Sequence, residues 1–201
     1  YQALVANEGG SYNTAVGSDA LVANTGGEKN AAIGTDSMYS NTTGKYNDAS
    51  GYQSLYSNTE GDDNIAIGRL SLNANTTGDD NTAMGYGALG AVTTGATNSA
   101  FGKSALLVNT TGGQNTILGF DSGDTLTTGI SNVLVGYAAG GNLHSDSSQN
   151  VIIGESAGGG IVQLDGTVII GRLAGYAINS SDADGTVAIG YQAANNLTTG
   201  R

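Results

Sequence analysis

One glycine recurs along this chain at a spacing of 17 residues, and this period constrains the fold more than any other feature. Its first eight copies follow at steps of 17, and three more follow at steps of 18, 17 and 19. A period of this length indicates a solenoid, because one unit cannot bury its apolar side chains without its neighbours. The eleven repeat glycines are Gly17, Gly34, Gly51, Gly68, Gly85, Gly102, Gly119, Gly136, Gly154, Gly171 and Gly190.

Each repeat has a first short segment ending at the repeat glycine, a second short segment, and a polar Thr-Gly turn. Residues 81–84 (NTAM) and 86–89 (YGAL) are one such pair of segments. Segments this short, separated by glycine, do not suit helices and give two potential strands per coil. We therefore predict an all-β fold, a β-solenoid (parallel β-roll) of about twelve coils of 17 residues. A rise of about 4.8 Å per coil gives a length on the order of 55 Å.

The repeat covers residues 1–201, so we expect a single solenoid domain. The first and last residues both fall inside a repeat. The chain is therefore expected to be an excerpt of a longer fibre protein.

Two positions of the repeat vary together in size, namely the residue two before the repeat glycine and the residue four after it. The first six repeats pair a small residue with a large one, as in Ala83 with Leu89. The next four invert the order, as in Ile152 with Gly158. Close-packed interiors tolerate swaps that conserve volume, so we predict that both positions fill one slot of a thin core. Independent drift between two repeat subfamilies is the alternative.

The residue immediately before the repeat glycine is apolar in ten of the eleven repeats, with Ser50 as the exception. Because neighbouring strand residues point to opposite faces, the first segment is apolar on both faces. One face fills the coil, and we expect the other to contact further copies of the chain in a homotrimer.

Asparagine forms two further columns. It opens nine of the eleven first segments, and it recurs in the polar turns. Stacking the coils would place these amides above one another, so we predict asparagine ladders along the axis. The second column gives way to apolar residues at Val92, Leu126, Leu143, Ile161, Ile178 and Leu197.

The charge balance argues against nucleic acid or an anionic membrane as a partner. Lysine and arginine number 6 against 17 aspartate and glutamate residues, a formal net charge of -11. Phosphate binding needs clustered positive charge. The chain also has no run of 18 apolar residues, so we expect no membrane insertion by this segment. The absence of cysteine excludes disulfides and thiolate metal sites.

The repeat segments, above all residues 186–194 (TVAIGYQAA), resemble the head repeats of trimeric autotransporter adhesins. They also resemble the related repeats of phage and prophage tail-fibre proteins. This resemblance covers essentially the whole chain. It implies a left-handed parallel β-roll with three chains side by side, located outside the cell on a virion tail fibre or a bacterial surface. It further implies a structural and adhesive shaft that presents or forms a receptor-binding surface.

The residue after the repeat glycine is exposed in this arrangement and varies between aromatic and basic types. Such a column could contact a glycan or protein of the host surface, and ordinary solvent-facing surface is the alternative. The members named as a receptor-contact surface are Tyr52, Arg69, Tyr86, Lys103, Tyr137, Arg172 and Tyr191, with Phe120 in the same column.

Catalytic groups are sparse in the sequence. The single histidine, His144, lies in an irregular insertion, and the Asp62-Asp63 and Asp79-Asp80 pairs recur at one turn position. Repetition at a turn indicates a solvated edge, so we expect no enzymatic activity and no cofactor. A glycan-cleaving β-helix of the tailspike type is the alternative, because paired carboxylates hydrolyse glycosidic bonds.

Acidic turns also raise the possibility of a bound cation, since hard cations take carboxylate and carbonyl oxygens. Asp182 and Asp184 are the candidate ligands, but their spacing does not match known calcium loops. We expect plain acidic turns here and no metal. A monomeric ion-binding or, from the rows of threonine, ice-binding solenoid is a further alternative.

Overall fold

A computed structural model of the chain describes residues 2–159, 163–178 and 183–195. It forms one solenoid with a single parallel sheet of eleven strands, which pair in sequence order. No α-helix occurs in these ranges, and the predicted all-β solenoid is confirmed. The strands are β1 (Thr14–Val16), β2 (Ala31–Ile33), β3 (Asp48–Ser50), β4 (Ile65–Ile67), β5 (Thr82–Met84), β6 (Ser99–Phe101), β7 (Thr116–Leu118), β8 (Val133–Val135), β9 (Val151–Ile153), β10 (Val168–Ile170) and β11 (Val187–Ile189).

Each strand pairs in register with its copy in the next coil. Ala66 lies opposite Ala83, and Ala83 lies opposite Ala100. Eleven strands paired in sequence order correspond to ten complete turns of the solenoid, close to the twelve coils expected from the period.

The repeat glycine is required for two reasons, as Gly34 illustrates. Its φ of +136° lies in a region that side chains rarely adopt. A β-carbon at Gly34 would also lie only 2.5 Å from the carbonyl oxygen of Gly51 in the next coil. Any side chain here would push the coils apart, so the 17-residue glycine period follows from coil stacking.

The second segment of the repeat is not a strand, and in this respect the prediction of two strands per coil was wrong. Residues 86–89 form turns, and Leu89 has a φ of +51°. This left-handed conformation is uncommon for a residue other than glycine or asparagine. Bonds between coils fix it, because the Leu89 N–H donates to the carbonyl of Ala105 at 3.0 Å.

The core is a thin layer filled by the middle residue of each strand and the fourth residue after the repeat glycine. Ala83 and Leu89 are both fully buried. In the later coils, a β-carbon at Gly158 would lie 2.7 Å from Cδ1 of Ile152. The prediction that the two positions share one slot is therefore confirmed, since isoleucine occupies the space that a side chain at Gly158 would need.

Both asparagine ladders are present. Asn47 donates from its amide nitrogen to Oδ1 of Asn30 at 3.2 Å and to the carbonyl of Gly61 at 2.8 Å. In the second ladder, Asn58 donates to Oδ1 of Asn41 at 2.8 Å. The amides thus satisfy one another along most of the axis, with a break in the second ladder at Val92 between Asn75 and Asn109.

Candidate functional site

The seven residues predicted as a receptor-contact surface lie in one column that runs along the solenoid. We call the residues that directly follow the repeat glycines the surface column. Each of the seven is exposed. Tyr137 and Tyr191 retain 58% and 64% of their accessible surface. The column is therefore available to a ligand along most of the length of the molecule.

Within this column, basic and aromatic side chains alternate and contact one another from coil to coil. The Arg69 guanidinium lies 5.7 Å from the ring centroid of Tyr52 and 5.6 Å from that of Tyr86. Lys103 Nζ lies 6.0 Å from the Tyr86 ring and 5.0 Å from the Phe120 ring. These are cation–π distances, each worth about 0.5–1 kcal/mol at exposed sites.

Beyond Phe120 the column changes character. The Phe120 and Tyr137 rings stack at 5.5 Å with an angle of 7° between them. Arg172 then pairs with Glu155 at 3.1 Å and lies over the Tyr191 ring at 6.0 Å. The hydrogen bond that Arg172 donates to the Glu155 carboxylate raises the pKa of Arg172. Sequence reasoning missed Glu155, although its place after Gly154 assigns it to the same column.

Arg69 and Lys103 differ from the other basic side chains that the structure describes. Lys45 lies 3.9 Å from Glu28, Arg172 pairs with Glu155, and Lys29 donates to the Tyr46 hydroxyl at 3.0 Å. Within the described ranges, Arg69 and Lys103 have no carboxylate within 4.0 Å and donate no side-chain hydrogen bond, so only aromatic rings accompany their charges.

A second candidate surface is the outward face of the sheet, which we call the outer face. It consists of the first and third residues of each strand, since only the middle residue points inward. Ile67 and Leu118 on this face are 41% and 51% exposed. Sequence reasoning identified the third-residue column but missed the first-residue column, whose signal is the valine at Val151, Val168 and Val187.

The third-residue column of the outer face is apolar except at Ser50, whereas the first-residue column is mixed from β1 to β7 and apolar from Val133 onward. From β9 to β11 both outward columns contain only valine and isoleucine. At β3, Asp48 and Ser50 replace apolar residues and leave a shallow depression of about 260 Å³. A large apolar surface of this kind is typical of a protein interface.

The acidic turns have a structural role. Asp79 Oδ1 accepts the backbone N–H of Asp62 at 2.8 Å, and Asp184 Oδ1 accepts that of Asp165 at 2.9 Å. Asp182, the other candidate ligand, lies outside the described residues. Within those residues, no three histidine, aspartate or glutamate side chains converge as a metal site would require. His144 lies at the surface in contact with the Asp146 carboxylate.

The threonine turns form a hydrogen-bonded row. Thr76 Oγ1 donates to the carbonyl of Thr93 at 2.9 Å, and Thr93 donates in the same way to Thr110. These hydroxyl protons are committed to the next coil, so this row of threonines serves coil stacking.

Searches of protein-family models, curated proteins and solved structures gave no significant match to this chain. Among the described residues, no helix has the length and apolar character needed to cross a bilayer.

Proposed function

We propose that this chain is the structural and adhesive shaft of a surface fibre, either a phage tail fibre or a bacterial trimeric adhesin. Three copies pack through the outer face, and the surface column is directed toward a receptor on the host surface. The location is extracellular, on a virion or a bacterial cell. The chain performs no catalytic step in this function.

The observation that carries this proposal is the apolar outer face of a stiff, regularly stacked solenoid. Eleven strands stacked in register give a rod whose length is on the order of 50 Å at one strand spacing per coil. The third strand residue is apolar in ten of the eleven strands, and a valine column joins it from β8 to β11. A rod with this much exposed apolar surface is poorly suited to water as a monomer. Closed homo-oligomers bury such a self-complementary surface.

The polar surfaces support the same function. The net charge of -11 keeps a long assembly soluble by mutual repulsion. The asparagine and threonine rows form hydrogen bonds between neighbouring coils, and these bonds stiffen the shaft. The surface column carries exposed aromatic rings together with Arg69 and Lys103, which have no ion pair among the described residues, and aromatic rings and arginine are enriched at protein interfaces.

Charge on the outer face tests this proposal. Ile67→Asp places a carboxylate in the middle of that face and should dissociate the assembly, because a charge buried without a partner is costly. Sedimentation velocity should show the wild-type chain as a trimer and the variant as a smaller species.

Thr77→Asp is the matched control, because it adds the same charge in an exposed turn where Glu60 occupies the equivalent position one coil earlier. It should sediment as the wild type does. If Ile67→Asp sediments as the control does, the outer face is not the interface and the proposed assembly is wrong.

A further inference from the structure

A notch interrupts the surface beside the middle of the surface column. The coil that begins at Gly85 carries glycine at two surface positions, Gly87 and Gly90, where the preceding coil carries Leu70 and Asn73. The missing side chains leave a recess of about 350 Å³. Leu107 of the following coil forms its far wall, 3.2 Å from where a β-carbon at Gly90 would lie.

The lining of this notch is mostly apolar with a few polar groups at its margin. Leu70, Leu107 and the glycine backbone form its walls and floor, and Tyr86 lines its side toward the surface column. The Asn73 amide nitrogen is held by the carbonyl of Gln53 at 3.1 Å. Its side-chain oxygen accepts no hydrogen bond from the described residues, so it remains available to a hydroxyl donor.

The size of the notch favours a small cyclic ligand over a peptide segment. Small-molecule sites range from about 300 to 1,000 Å³, so this recess is at the lower end. A sugar ring presents an apolar face of C–H groups and a rim of hydroxyls. The apolar walls, the Tyr86 ring and the free Asn73 oxygen match these two features.

The charge around the notch selects among sugars. Arg69 and Lys103 lie one coil before and one coil after Tyr86, about 10 Å apart along the axis at one strand spacing per coil. They are the two basic side chains without an ion pair or a hydrogen bond among the described residues. In a chain of net charge -11, two neighbouring cations that no carboxylate neutralises among the described residues favour an anionic ligand at this place.

We propose that this notch binds one residue of an acidic glycan. The apolar face of the sugar packs against Leu107 and Tyr86, and its carboxylate, sulfate or phosphate substituent lies beside Arg69 or Lys103. This inference rests on the proposed function, because it gives the receptor of the fibre its chemical class.

Binding of matched glycan pairs to the full chain in its native assembly tests the site. The probes are sialyllactose with lactose, oligogalacturonate with its methyl ester, and dextran sulfate with dextran, measured by surface plasmon resonance. We expect an acidic member to bind at least about tenfold more tightly than its neutral partner, and added salt to weaken it. The three pairs distinguish the type of acidic sugar. Equal binding of acidic and neutral partners, or no binding of any probe by the folded trimer, overturns the proposal.

Charge variants separate the site from general attraction. The double variant R69Q/K103Q should lose at least about tenfold in affinity for the acidic probe. The double variant K29Q/K45Q removes the same number of charges from lysines that contact Tyr46 and Glu28, and it should bind as the wild type does. Equal losses in the two variants would mean that only net charge matters.

Filling the notch tests its shape. Gly90→Leu restores a side chain at a position without positive φ and should abolish binding. Gly141→Leu makes the same change at the equivalent position three coils further on and is the control. Leu107→Ala, at a partly exposed wall position, is a second variant that should weaken binding without a folding defect. Binding unchanged in Leu107→Ala and in folded Gly90→Leu would refute the site.

Failure of this inference is distinguishable from failure of the proposed function. A trimer that adsorbs to bacterial cells without competition from acidic probes retains the fibre function and loses the acidic-glycan site. A monomer that binds an acidic probe through the notch retains the site and contradicts the trimeric shaft.

Discussion

The shared core slot predicts that substitutions at Ala83 and Leu89 are strongly coupled. Ala83→Ile adds three carbons at a position with no exposed surface, and overpacking of this kind costs about 1–3 kcal/mol. Leu89→Gly removes a fully buried side chain, and comparable truncations cost about 3–5 kcal/mol.

The left-handed backbone conformation at position 89 reduces the cost of Leu89→Gly. Leu89 has a φ of +51°, where a residue with a β-carbon is disfavoured by roughly 1–2 kcal/mol relative to glycine. This gain offsets the greater freedom that glycine has in the unfolded chain. We therefore expect Leu89→Gly alone to destabilise the fold by about 3 kcal/mol.

The double variant recreates the pairing of Ile152 with Gly158, in which isoleucine fills the space above the glycine. It should be milder than the sum of the single changes by at least about 1 kcal/mol. Urea denaturation followed by far-UV circular dichroism and tyrosine fluorescence measures the free energy of unfolding, since the chain has no tryptophan.

A distant pair provides the control. Ala83→Ile combined with Leu21→Gly, four coils away, should be additive within about 0.5 kcal/mol. If the effects of Ala83→Ile and Leu89→Gly on the free energy of unfolding also add within about 0.5 kcal/mol, the shared slot is refuted and the two positions are independent.

Three further predictions concern polar groups. Val92 interrupts the second asparagine ladder, and the buried Asn109 amide has no hydrogen-bond partner among the described residues. Both Val92→Asn and Asn109→Leu should therefore raise the melting temperature, and a decrease in both would contradict this explanation. Burial, and next the nearby Asp121 carboxylate, raise the pKa of the Asp124 carboxyl above the ordinary aspartate value. The protonated carboxyl therefore stabilises the fold at a pH below the ordinary aspartate pKa, and this contribution is lost as the pH rises through the raised pKa. Asp124→Asn should remove that pH-dependent loss, and an unchanged pH profile of the melting temperature would refute it. A chelator should leave the melting temperature unchanged, whereas Asp184→Ala should lower stability by about 0.5–1.5 kcal/mol through the lost bond to the Asp165 N–H, and a large chelator effect would indicate a bound ion.

Much of the solenoid could be predicted from the sequence because its determinants repeat. The repeat glycines mark where coils approach too closely for a side chain, as at Gly34. The exchange from Ala83 with Leu89 to Ile152 with Gly158 records a volume constraint that eleven copies make visible in a single chain. The asparagine ladders follow from the same stacking.

The conformation of the second segment could not be predicted in this way. Leucine at position 89 gives no signal for a left-handed φ, since glycine and asparagine are the usual residues there. Hydrogen bonds between coils impose the conformation, and these depend on the assembled stack.

The candidate site was predictable in its positions and not in its contacts. The order Arg69, Tyr86, Lys103 placed the side chains in one column, but only the structure shows that the cations lie over the rings. The notch was missed because Gly87 and Gly90 do not stand out in a chain with 34 glycines. The notch arises because the neighbouring coils carry side chains at the positions where this coil has glycine.

The mass of the native chain in solution tests the central claim most directly. Light scattering on the eluting peak should give about 60 kDa, the mass of three chains of 19.9 kDa each. That mass should persist on dilution to low micromolar concentration, because the proposed assembly would bury the apolar outer face. A stable, soluble species of 19.9 kDa with that face exposed to water would contradict the account of this chain as a trimeric fibre shaft.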